Sequence, residues 1–182
     1  MKGYPLPSGS LHDKLLKLRN KTNIYFQDVY CIDYSKGKIA NAWAAGIIPF
    51  NRKIFIAKYI LNNYSDDEIE AIVAHEIGHL KYNHSLTNLF LALGSTVFGG
   101  LVFSITSKFI PISLGSSMTT GMIYGLLWGI LSGPIRHRHE FQADAYAVRI
   151  IGDPQPLIRA LCKLHNLDGR LKPDSAKTNI NG

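Results

Sequence analysis

Between His84 and Arg136 the chain carries a single formally charged side chain, Lys108. The two flanking runs, residues 85–107 and 109–135, are about 23 and 27 residues long. Each exceeds the ~20 residues that a helix needs to cross the hydrocarbon of a bilayer. Pro111 and the serines near it suit a tight turn, so the segment is predicted to be a transmembrane helical hairpin. Gly121, Gly125, Gly129 and Gly133 repeat every fourth residue, and Ser95 with Gly99 forms a similar pair. A mid-helix glycine costs about 1 kcal/mol relative to alanine in water. In lipid, small residues at this spacing let helices approach closely, so the pattern favours membrane spans over a buried soluble hairpin or a hydrophobic lid. Lys81 and His84 precede the hairpin and Arg136, His137 and Arg138 follow it, which puts that end on the cytoplasmic side.

The second strong signal is His75-Glu76-Ile77-Gly78-His79. Ser65-Asp66-Asp67-Glu68 reads as a capping box, and Ile69, Ile72, Val73, Ile77 and Leu80 recur at helical spacing, so the pentapeptide is placed on a helix. Two histidines four residues apart leave the same face and can hold one zinc ion per chain. Glu76 lies beside them as a general base for a metal-bound water. A catalytic zinc needs a third protein ligand. His84 sits where a continuing helix would turn it about 180° from His75, so it is read as a polar residue at a helix end.

Downstream, Glu140 and Asp144 are four residues apart on a helix whose buried face is read as Phe141, Ala145 and Val148. That spacing lets Glu140 ligate the metal while Asp144 accepts the free ring N–H of a ligating histidine. His137, on the same face as Glu140, is the alternative third ligand.

HExxH followed by ExxxD, in the form EFQADAYAV, resembles the membrane zinc endopeptidases that include the CAAX prenyl proteases and the HtpX-type heat-shock proteases. Asn41-Ala42-Trp43-Ala44 is similar to the NA(x)A segment of those families. Leu6 to Leu11, Ser65 to His84 and Leu157 to Leu167 agree as well, so the likeness covers most of residues 5 to 167. The resemblance implies a gluzincin-like fold, mainly α with a small β-sheet, and zinc-dependent cleavage of membrane-associated or misfolded proteins. It also implies that Asn41 and Ala42 lie on a sheet edge in the substrate cleft; without it, Asn41 would be read as a turn cap and Ala42 as packing inward. CAAX-type prenyl-protein cleavage and a non-catalytic zinc-binding scaffold are the alternatives. The families also carry a later His-Pro and Arg segment for transition-state binding, which is missing here. Tyr146, His165 and Arg159 are the substitutes considered for that role.

The 182 residues suit a single peptidase domain. Its parts are residues 1–84 (a first helix, a small sheet and the HExxH helix), the hairpin at 85–135, the ExxxD helix and a following helix at 136–167, and a loose tail at 168–182. Leu11, Leu15 and Leu18 mark the first helix. Ile24 to Asp33, Asn41 to Ile48 and Lys53 to Ile60 favour strands, with turns at 35–38 and 49–52. Cys31 and Cys162 are isolated and imply no disulfide framework. The net charge of +7 suits anionic lipid head groups, and no basic cluster interleaved with aromatics points to nucleic acid. Met1 to Ser10 has no apolar leader, so the hairpin is expected to direct insertion. Two spans are fewer than these families usually carry, which leaves room for a homo-oligomer or a larger membrane assembly.

Overall fold

The computed structural model describes residues 2–34, 39–46, 48–109 and 113–167. The expected turns at 35–38 and around Pro111, and the tail at 168–182, lie outside the described residues. Strand β1 (Lys2–Pro5) leads to α1 (Ser10–Thr22), β2 (Val29–Asp33) and β3 (Ala42–Ala45). A 3-10 turn at Pro49–Asn51 precedes β4 (Lys53–Ala57) and the short α2 (Lys58–Asn63). Then come α3 (Asp66–Lys81), α4 (His84–Phe109), α5 (Leu114–Ile151) and α6 (Gln155–Leu167). The architecture is helical with a small sheet, as the sequence suggested.

The sheet has the order β1-β2-β4-β3. β2 and β4 run parallel at its centre, and β1 and β3 pair antiparallel on the outside. β3 is therefore an edge strand. The three expected strands are all shorter in the structure, β2 starting at Val29 and β3 ending at Ala45. Residues 58–60 are helical, because Ala57 and Ile60 are both buried and three apart, a helical spacing. β1 escaped notice because Gly3 and Pro5 dilute its β-propensity, and an outer strand tolerates both.

α3 is the hub of the core. The capping box is present: Glu68 donates its N–H to Ser65 Oγ at 3.4 Å, and Ser65 donates its N–H to Glu68 Oε2 at 2.9 Å. Ile69, Ile72, Val73, Ile77 and Leu80 are all buried, against Leu15 and Leu18 of α1, the sheet, and Leu157 and Ala160 of α6. The helix stops because Asn83 adopts a left-handed conformation, with φ 53°. Arg52 Nη2 donates to Asn83 Oδ1 at 2.8 Å, and the Asn83 carbonyl accepts the N–H of Leu86 at 2.9 Å to start α4.

α5 is one helix of 38 residues with Pro134 inside it, so the boundary drawn between 135 and 136 falls within a single element. Its C-terminal half crosses α3 at Gly78, where an added Cβ would lie 2.9 Å from the Ala143 Cα. The buried face here is Ala143, Tyr146 and Ala147, whereas Phe141 is 70% exposed. Of the expected face, Val148 packs against the core while Phe141 and Ala145 are exposed, because the acidic pair itself points at α3 and shifts the buried sector.

The N-terminal half of α5 pairs with α4. Tyr124 and Trp128 lie against Phe98, with ring centroids 6.0 and 5.7 Å apart, and Thr120 Oγ1 donates to Thr106 Oγ1 at 3.2 Å. Gly94 and Gly99 make room for those rings, but Gly121, Gly125, Gly129 and Gly133 have nothing within 4 Å of an added Cβ. The glycine repeat does not form the α4/α5 contact. Among the described residues, one helix, His84–Phe109, is long and apolar enough to cross a membrane, and almost none of it is buried. The N-terminal half of α5 is less apolar, being rich in glycine and hydroxyl side chains.

Candidate metal centre

His75 and His79 extend from one face of α3, and the crossing at Gly78 and Ala143 brings α5 close enough for Glu140 to meet them. The donor atoms His75 Nε2, His79 Nε2 and one Glu140 oxygen all lie within 4.8 Å of one another. Nε2 to Nε2 is 3.1 Å, and Glu140 Oε2 is 3.5 Å from His75 Nε2 and 3.8 Å from His79 Nε2. Ligands bound to one tetrahedral zinc at about 2.0–2.2 Å sit roughly 3.3 Å apart, so the three donors fit such an ion. His137, the alternative ligand, is exposed and is not among them.

The ring protons fit too. His75 Nδ1 donates to Asp144 Oδ1 at 2.9 Å, which leaves its Nε2 bare. His79 Nδ1 is 2.8 Å from His84 Nδ1, and His84 Nε2 is 3.2 Å from Gln142 Oε1. Burial pulls His75 down, but the Asp144 bond and the charges of Glu76, Asp144 and Glu140 raise it above its ordinary value. His79 has no such carboxylate bond, and burial with the neighbouring His75 and His84 rings lowers it to about 4. With Nδ1 of each ring turned to a neighbour, both imidazoles direct Nε2 at a common point.

Glu76 is buried, and its Oε2 accepts the backbone N–H of Ala44 at 2.9 Å. Burial pushes its carboxyl up to about 7, against the pull of His75 and the Ala44 bond. A bound cation would pull it back down. The bond also ties the HExxH helix to the edge strand. Ala57 donates its N–H to Asn41 O at 2.8 Å, so in an antiparallel ladder the main-chain groups of Ala42 and Ala44 face the open edge.

Two cavities meet at His79 and Glu140. One, of about 370 Å³, is lined by Asn41, Ala42, Trp43, Glu76 and the apolar Leu157, Leu161 and Leu164. The other, of about 420 Å³, opens between α4 and α5 and is lined by Asn88, Ser95, Trp128, Arg136 and His139. Asn41 and Ala42 thus border the metal ligands. Tyr146 is instead packed in the core against Tyr82, because two helical residues beyond Asp144 it leaves the opposite side of α5. His165 is exposed and bonds to Leu161 O, and Arg159 faces Glu68 at 3.8 Å. None of the three lines either cavity.

His84 was misread. The break at Asn83 turns it back toward α3, and it is only 2% exposed, stacked on His139 with ring centroids 4.0 Å apart. A helix run on from His75 gives the wrong direction for this residue. The available signal was Tyr82-Asn83, since asparagine is enriched in left-handed helix ends.

Candidate donors split between an HExxH helix and an ExxxD helix, with a buried carboxylate and a strand edge beside them, form the arrangement expected of a metallopeptidase. The profile of peptidase family M48 matches residues 5–179, and the chain belongs to that family. It is 31% identical over 168 residues to a Protease HtpX homolog of Trichormus variabilis, covering 85% of this chain and 56% of that protein. It is 31% identical over 175 residues to a CAAX prenyl protease 1 homolog of Arabidopsis thaliana, covering 88% of this chain and 41% of that protein. The crystal structure of S. mikatae Ste24p superposes with a TM-score of 0.64 at 28% identity, over 91% of this chain and 44% of that one. The chain spans about half the length of the curated relatives it matches.

Proposed function

We propose that this chain carries the catalytic core of a membrane-bound zinc metalloendopeptidase that cleaves membrane-associated or misfolded proteins. The observation that carries this reading is the convergence of two bare Nε2 atoms and Glu140 Oε2 beside the buried Glu76 carboxylate. His75, His79 and Glu140 would hold the ion, which supplies Lewis acidity and a water that loses its proton near neutral pH. Glu76 would act as the general base toward the attacking water and would return the proton to the leaving amine. Asp144 fixes the tautomer of His75. A substrate strand adds to the open edge of β3, bonding to main-chain groups of Ala42 with Asn41 beside it. The basic residues Lys81, Arg136 and Arg138 lie at the metal end of the hairpin, which supports a cytoplasm-facing site.

Glu76→Gln tests the reading: it should keep zinc and lose proteolysis by a factor on the order of 10²–10⁴. Normal cleavage of unfolded casein by that variant would sink the enzyme assignment, and a wild-type protein that binds zinc without cleaving would favour a scaffold. The likeness to CAAX prenyl protease 1 homologs supports prenyl-protein processing as a second reading. A prenylated CAAX peptide cleaved in preference to casein would decide for it.

A further inference from the structure

We propose that His84 is a positioning residue for the metal centre, holding the ring of the ligand His79 through an imidazole-to-imidazole hydrogen bond that Gln142 anchors. The inference rests on the metal-site reading above. A ligating histidine needs its second nitrogen held by an acceptor, which sets the tautomer and the ring plane. His75 has Asp144 for this, at 2.9 Å. For His79, the hydrogen-bond partner of Nδ1 among the described residues is His84 Nδ1, at 2.8 Å, and two nitrogens at that distance share one proton. With His79 Nε2 aimed at the metal position, the proton belongs to His79 Nδ1 and His84 Nδ1 is the acceptor. His84 then carries its own proton on Nε2, where Gln142 Oε1 accepts it at 3.2 Å. The direction of every bond is consistent from the metal position outward.

The ring of His84 is fixed on its faces as well. His139 stacks on it at 4.0 Å with an interplanar angle of 13°, and Tyr82 lies on it at 5.7 Å and 21°. Gln142 and His139 both belong to α5, the helix that supplies Glu140. The relay therefore ties the HExxH helix to the third-ligand helix a second time, independently of the Asp144 bond. It does so with neutral groups, so the centre has one anionic and one neutral support.

The test uses the full chain in detergent, with zinc affinity measured by competition against a chelator and the ligand field read from the absorption spectrum of the cobalt-loaded protein. His84→Phe keeps a ring to stack on His139 but removes the acceptor, and should weaken zinc binding on the order of 10–100-fold with a shifted cobalt spectrum. His84→Asn offers an amide oxygen in place of Nδ1 and should restore affinity to within about threefold of wild type. Wild-type affinity in a folded His84→Phe protein overturns the proposal, and so does an Asn variant as weak as Phe, which would mean a packing role only. If His84→Phe loses its helical circular dichroism, Gln142→Leu decides alone: unchanged affinity and spectrum overturn the relay. Failure of wild type to bind zinc would remove the metal-site reading itself, whereas zinc binding without proteolysis leaves this inference standing.

Discussion

The two halves of α5 meet their surroundings in opposite ways. From Arg136 onward its small residues are pressed against α3, where a Cβ on Gly78 would come within 2.9 Å of Ala143. Before Pro134, a Cβ added at Gly121, Gly125, Gly129 or Gly133 would meet nothing within 4 Å, and Met118, Met122, Leu126 and Ile130 are exposed. One helix thus has a half seated by Ala143, Tyr146 and Ala147 in the core and a half that leaves most of its apolar side chains bare. Exposed apolar surface of that extent is stable only against another apolar phase. The comparison teaches that small residues in a sequence announce close approach without saying to what.

The largest break comes from charging the bare region. Val97→Lys on α4, a position 67% exposed, should cost about 2.5–3.5 kcal/mol of membrane insertion if the helix spans lipid. Recovery of the variant in the soluble fraction, against wild type in the membrane fraction, would show this, while equal detergent-free solubility of both would place α4 in water. Next comes Gly78→Ala, which forces α3 and α5 apart and should lower the unfolding free energy by about 1–3 kcal/mol. Zinc affinity should fall with it, since Glu140 rides on α5. The same substitution in the other half, Gly125→Ala, should be neutral or stabilise by up to about 1 kcal/mol. Thermal melts of the two variants side by side sharpen the contrast, and equal losses would erase it.

The smallest effect belongs to the packed side. Glu68 is buried and receives Lys163 Nζ at 2.6 Å. Burial raises its carboxyl, but the bonds from Lys163 and Ser65 outweigh it and hold the group below its ordinary value of 4.5. A carboxylate depressed in the folded state stabilises above its unfolded pKa, and that contribution is lost as the pH falls through the folded pKa. Denaturant midpoints should therefore drop as the pH is lowered below about 4.5, and Lys163→Met should flatten that acid slope. An unchanged slope would assign the acid sensitivity to other carboxylates.

Much of this architecture was legible because its signals are local. The HExxH helix announced itself by a capping box and a run of apolar residues at one period, and α1 by three leucines. Glu140 and Asp144 were readable as a pair by their spacing alone. What was not legible depends on a single backbone angle or on a distant neighbour. Asn83 decides the direction of His84, and helical extrapolation across it places that side chain on the wrong side. The glycine repeat of α5 is visible in the sequence, but its spacing does not show that the α4/α5 contact is made instead by aromatic rings over Gly94 and Gly99 of α4. The Ala44 bond to Glu76 spans 32 residues and uses a main-chain donor, which no side-chain pattern encodes.

The continuity of α5 also sets an order of assembly. Glu140 lies 61 residues after His79, and the apolar hairpin is made in between. A ribosome therefore finishes both histidines and the sheet behind them long before the third donor exists. The carboxylate reaches them only when the rod that carries it has been seated, so the three side chains come together last, once the hairpin is in place.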